Sequence, residues 1–242
     1  MIRSLAPGLA LAAGLVLAPA AAAAQSTDSL HLTGDVGVVN TAGNTELTTV
    51  NIGEQVRWRR RRLTLEQTFA LVYGRSGEET TSSLWRGGVR ADYALTEAVS
   101  AYALAAYDRN RFAGIARRFE EGAGVGIGLI RRTRDQLQVE SGLSLVQQRS
   151  LLATTDNFAS ARGAARYMHH FTTETYFEQM VETITNLEDA GDFRVNSESA
   201  LVAPLSQRLA LKISYVVRYD RRPEPGFRPT DRLLTSGLQF TL

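Results

Sequence analysis

The residues best equipped for chemistry in this 242-residue chain are three histidines, a set of carboxylates, the arginine tetrad at residues 59–62 and glycines at 122, 124, 126 and 128. Cysteine is absent, so the chain has no thiolate nucleophile, thiolate metal site or disulfide. His169 and His170 are adjacent, and adjacent residues on a strand point to opposite faces, so they could share one metal only inside a turn. We predict no metal site and no cofactor. Phosphate-cradling glycines sit at a turn between strand and helix, whereas these glycines recur at spacing two. The spacing belongs within a strand, where bare positions leave room for a bulky neighbour such as Arg90 or Tyr102. The tetrad reads as a solvated tight turn, with lipid phosphate contacts as the alternative.

The elements that position these groups follow from a period-two alternation of apolar and polar residues, which begins near Leu30 and continues to Leu242. Leu30, Leu32, Val36 and Val38 share one face; Leu63, Leu65, Phe69, Leu71 and Tyr73 another; Leu209, Leu211, Ile213, Tyr215 and Val217 a third. About twelve such segments are present, each near the ~10 residues of a tilted membrane strand. Connections after the odd segments are longer or more polar, and those after the even segments are tight. Trp58, Tyr73, Trp85, Tyr93, Tyr107, Tyr167 and Tyr219 fall near segment ends, where amphipathic rings meet a membrane interface. The pattern predicts an all-β fold, a transmembrane antiparallel up-and-down β-barrel. A soluble β-sandwich also alternates, but with shorter strands and without the asymmetry of the connections.

The ends fit this reading. Arg3, an apolar run over residues 9–17 and an alanine tract ending at Ala24 form the three parts of a secretory signal. We therefore expect a signal peptide at 1–24, cleaved between Ala24 and Gln25, and a barrel domain at 25–242. Beyond Ala24, charged residues interrupt every apolar run, which excludes a helical membrane protein. Lys+Arg total 27 against 25 Asp+Glu, spread along the chain, which argues against a nucleic-acid partner. The expected partners are outer-membrane lipid and, during biogenesis, the barrel assembly machinery. Leu238, Phe240 and Leu242 on the last apolar stripe are its expected signal.

The most informative constellation lies opposite the apolar stripes. Arg57, Glu66, Arg86, Arg90, Glu120, Glu140, Arg162, Arg166, Arg194, Glu198, Lys212 and Arg218 all fall on these polar faces, together with Asp92, Glu174 and Glu178. In a barrel they face the lumen, and buried charges must be paired or wet. Glu198 is expected to oppose Lys212 and Arg218. An outer-membrane hydrolase of lipase or protease type would need a histidine at the outer rim, but the pair at 169–170 falls at a predicted periplasmic turn. Asp108, Glu120 and Asp220 at the other end lack a companion base.

Several segments resemble the domain-of-unknown-function family 481, described as salt-induced outer-membrane proteins. The resemblance is carried by Gly43-Asn44-Thr45, Asp108-Arg109-Asn110-Arg111-Phe112-Ala113-Gly114-Ile115, the glycine run, Phe193-Arg194-Val195-Asn196-Ser197-Glu198, Leu211-Lys212-Ile213-Ser214-Tyr215 and Arg218-Tyr219-Asp220. One departure is the last residue, Leu242 where phenylalanine is common. The resemblance implies an outer-membrane barrel and no catalytic residue. The readings left open are a narrow channel, a structural element of the envelope linked to salt or osmotic stress, and the hydrolase. If the leader is processed as read, N-terminal sequencing of protein recovered from envelopes returns Gln25 first, and retention of the alanine tract contradicts the reading.

Overall fold

The computed structural model describes residues 29–42, 47–76, 79–152 and 155–241. Among them are twelve strands: β1 (Ser29–Ala42), β2 (Leu47–Arg60), β3 (Leu63–Ser76), β4 (Glu79–Ala94), β5 (Val99–Asn110), β6 (Ile115–Arg131), β7 (Asp135–Ser150), β8 (Thr155–His170), β9 (Tyr176–Asn186), β10 (Phe193–Ser206), β11 (Leu209–Asp220) and β12 (Thr230–Thr241). Each pairs antiparallel with its neighbours in sequence, and β1 pairs with β12 from Thr33↔Thr241 to Ala42↔Arg232, which closes the sheet into a barrel. No helix among the described residues is long and apolar enough to cross a membrane.

Side-chain exposure runs opposite to that of a soluble protein. On β7, Leu143 and Leu145 are 62% and 59% exposed, while the intervening Ser144 and Val146 are buried. The same inversion places Ile52, Val89, Ile127, Ile213 and Leu234 outside. Such a surface is stable only against hydrocarbon, because each buried methylene gains roughly 0.8 kcal/mol over water. Aromatic rings bound the apolar band: Trp85 stacks on Tyr107 near one end, ring centroids 4.7 Å apart, and Tyr93 lies toward the other end of β4.

The two ends differ. At one, adjacent strands turn tightly: Arg61 takes a left-handed backbone (φ 52) between β2 and β3, and the Thr96 hydroxyl accepts from the Ala98 and Val99 amides between β4 and β5. We call this the turn end; it holds the start of β1 and the end of β12. At the other, the loop end, β11 and β12 are joined by the longer residues 221–229.

Two sequence readings need correction. The strands run from 11 to 17 residues rather than about ten, because antiparallel pairing continues past the apolar band into polar sequence. Glu174 is not a wall residue: it sits exposed in the turn after β8, where its amide donates to the Thr172 hydroxyl. Glu198 does lie within reach of Lys212 and Arg218, while the ion pair of Lys212 is with Asp35. The predicted leader with Ala24 and Gln25, the Gly43-Asn44-Thr45 motif and Leu242 lie outside the described residues.

On β12, Leu238 pairs with Val36 and Leu211, and Phe240 with Gly34 and Leu209, and both project outward beside the closing seam. A carboxylate in place of Phe240 would meet hydrocarbon or its boundary at a depth-dependent cost. We expect Phe240→Asp to reduce the fraction of protein that migrates differently before and after boiling. An undiminished compact band would refute the outward placement.

Candidate functional site

The site is the interior wall. Because strand neighbours alternate, the exposed apolar stripe sends even-numbered residues of β3 to β11 and odd-numbered residues of β1, β2 and β12 inward. By this parity Arg162 and Arg166 on β8 and Glu178 and Glu182 on β9 all face in.

Near the turn end the charges form separate pairs. Arg57 on β2 holds Glu66 on β3 at 2.7 Å, Arg166 reaches Glu178 at 3.4 Å, and Lys212 on β11 reaches across β12 to Asp35 on β1 at 3.3 Å. Glu198 lies near enough to Lys212 and Arg218 to act on both electrostatically, yet the ion pair of Lys212 is with Asp35. Arg57 and Arg166 keep 40% and 41% of their side-chain surface accessible although the barrel surrounds them. A cavity of about 460 Å³ opens at this end beside Arg59, Ser100, Gln138, Arg166 and Met168.

At mid-height the pairs fuse into a belt over β4 to β10. Arg90 binds Asp92 through Nε and Nη2 at 2.8 and 2.7 Å, and Glu140 through Nη1 and Nη2 at 3.0 and 2.8 Å. Arg162 donates to Glu140, Glu182 and the Tyr102 hydroxyl at 2.8, 2.7 and 2.9 Å, and Asn196 closes the belt on Glu182 at 3.0 Å. The Arg90 guanidinium lies 4.3 Å from the centre of the Tyr102 ring. Tyr102 lies against the wall because Gly124 and Gly142, paired on β6 and β7, have no side chain: a Cβ at either would stand 2.6 or 2.5 Å from the Tyr102 hydroxyl. Of the glycine run, Gly124 makes this room; the positions 122, 126 and 128 stand against Ser144, Gln138 and Arg131 instead. The belt is nearly dry, with Arg162 and Glu140 only 5% and 12% accessible.

Toward the loop end, Arg86 holds Asp108 at 3.3 Å and Arg194 holds Asp220 at 3.0 Å. Arg118 donates from Nε and Nη2 to the Gln148 amide oxygen at 2.8 and 2.6 Å, and Arg194 donates to the same oxygen at 3.1 Å. Glu120 faces inward and acts on Arg86 electrostatically. Nη1 of Arg218 is buried and finds no acceptor among the described residues. The 221–229 loop reaches over the mouth: Glu224 accepts from Gln148 Nε2 at 2.9 Å, and Phe227 packs on Gly114, in the β5–β6 connection on the opposite wall. Gly114 has φ +74, and a Cβ there would meet the Phe227 ring at 2.6 Å.

Sequence reasoning missed several wall residues. Arg118 shares its parity with Glu120, so its orientation was legible, but its convergence with Arg194 on Gln148 was not. The polar-lumen expectation also overlooked an apolar cluster inside the wall, Val72, Leu84 and Leu233 with Val216. Its signal was present as doublets, Leu71-Val72, Leu84-Trp85, Val216-Val217 and Leu233-Leu234, in which one member must face each way.

The histidines do not assemble a catalytic group. His170 faces in, while His169 faces out and bonds Asp135 at 2.7 Å, alongside Tyr167, which donates to the same carboxylate at 2.8 Å. Among the described residues no set of three or more His, Cys, Asp and Glu is placed to hold a metal.

Comparison with known proteins agrees with this architecture. A family model described as "Protein of unknown function, DUF481" matches residues 34–242. No curated protein sequence matches. Among solved structures, the NanC porin superposes with a TM-score of 0.60 at 10% identity, covering 86% of this chain and 100% of its own. The COG4313 outer membrane channel from Pseudomonas putida F1 gives 0.53 at 11% identity, covering 91% and 97%. At such identities the likeness is one of fold.

The contrast between belt and turn end sets a measurable difference. Arg162→Ala leaves Glu182 without its arginine and takes one of two arginines from Glu140 in the driest part of the wall, and should cost on the order of 3–5 kcal/mol. Arg57→Ala removes an arginine that keeps 40% of its surface accessible, and should cost less, about 1 kcal/mol. Urea unfolding in detergent compares them, and equal losses would show that the belt is as wet as the ends.

Proposed function

This chain belongs to the DUF481 family, and we propose that it is a narrow, water-filled diffusion channel of an outer membrane. The observation that carries the reading is the open space left around charged groups inside a closed barrel: Arg57, Arg86 and Arg166 each keep about two-fifths of their side-chain surface accessible. Charges in a sealed interior would be desolvated at a cost of several kcal/mol each, and eight-stranded barrels, which are filled by side chains, leave no room for such groups to stay hydrated. Twelve strands leave a passage that the belt of Arg90, Tyr102, Glu140 and Arg162 and the apolar cluster at Val72 narrow from two sides. Acidic and basic groups on the wall nearly balance, so the bare pore discriminates by size more than by charge.

The reading extends to biogenesis: export by a leader cut after Ala24, membrane lipid around the apolar band, and recognition of the Leu238 and Phe240 stripe by the assembly machinery. No reaction is part of this reading.

Planar-bilayer recording tests the channel. Wild-type barrel should give small, discrete conductance steps, and Tyr102→Ala, which removes the ring from the belt, should enlarge each step. Silence from both proteins, each shown to be folded by its shift on boiling, would overturn the channel and leave a structural envelope barrel.

A further inference from the structure

Two of the wall's arginines near the loop end have no carboxylate within ion-pairing distance among the described residues. Arg118 spends two donors on the neutral oxygen of Gln148, an oxygen that Arg194 also uses. Arg218 leaves Nη1 without an acceptor. Asp108 is the shared counter-charge: Arg86, Arg118 and Arg218 all act on it, yet its hydrogen bond is a single long one from Arg86 at 3.3 Å. Arg118 and Arg194 stand near enough to repel each other, as do Arg86 and Arg218. Guanidinium forks match the oxygens of carboxylate and phosphate and gain roughly twice as much from an ionised acceptor as from a neutral one.

We infer that Arg118 and Arg194, with Gln148 between them, form a binding site for a small oxyanion, the phosphate or carboxylate group of an acidic solute entering from the loop end. Gln148 stands where an anionic oxygen would be the stronger partner, and its amide nitrogen is held by Glu224 of the 221–229 loop. The only carboxylate this loop brings to the site therefore bonds the one neutral group in it, on the side away from the guanidiniums. An entering oxyanion takes the donors of Arg118 and Arg194 from Gln148 Oε1. The site rests on water reaching the lumen from the mouth, and its test reads binding rather than current, so the site and the channel can fail separately.

The test is calorimetric titration of the refolded full chain in detergent with sodium phosphate and, in a parallel arm, sodium gluconate, against sodium chloride at matched ionic strength. Saturable binding of either oxyanion, absent with chloride, is expected. Gln148→Glu supplies a carboxylate to both arginines and gives up the hydrogen bond to Glu224, so, once its shift on boiling shows it folded, it should weaken oxyanion binding tenfold or more. Arg118→Gln should weaken it similarly, while Arg61→Gln in the β2–β3 turn should leave it unchanged. No saturable binding in either arm, or full binding in both Gln148→Glu and Arg118→Gln, overturns the site.

Discussion

Everything in this molecule follows from the pairing of β1 with β12. A sheet in hydrocarbon has no water to satisfy its edge amides and carbonyls, so a stable sheet must close on itself. The seam from Thr33↔Thr241 to Ala42↔Arg232 joins the two ends of the described chain across 200 residues of sequence. Once that seam exists, each strand has one face toward lipid and one toward an interior that the chain must furnish.

How the interior is furnished explains its division into zones. A charge inside a barrel can be compensated by a partner or by water, and this wall uses both. The belt uses partners: Glu140 is gripped by two arginines, and each of those arginines holds a second carboxylate. Such a lattice is stable because every member is satisfied, and costly to break because each holds the others. Outside the belt the charges stand in separate pairs, and Arg57, Arg86 and Arg166 keep about two-fifths of their side-chain surface accessible. The glycines of β6 and β7 belong to this arrangement, since the Tyr102 ring that Arg90 and Arg162 approach can lie flat only over positions without a side chain.

The loop end is held by different forces. Strand pairing stops there, and the connections are tied by contacts between loops: Arg222 with Asp189, the Leu151 amide on the Gly114 carbonyl at 2.8 Å, and the seat of Phe227 on Gly114. These contacts carry residues 221–229 from β11 over to the opposite wall and narrow the mouth above the arginines.

The sequence alone determined the barrel, the number of its strands and the face to which most side chains belong, because lipid on one side and water or polar side chains on the other impose a period of two that composition cannot disguise. It also settled that Arg57, Glu66, Arg90, Glu140, Arg162 and Lys212 share one interior. Which of them meet was decided only by the tertiary structure. Arg90 and Glu140 lie on strands three apart, and Lys212 finds Asp35 across the closing seam rather than Glu198 on the adjacent strand, because partners in a barrel are set by strand stagger and diameter, which no local pattern encodes. The apolar cluster at Val72, Leu84 and Leu233 was likewise hidden, since a doublet of apolar residues announces that one points inward but not what it will touch. Period is a property of neighbours in sequence; contact across a lumen is a property of the closed sheet.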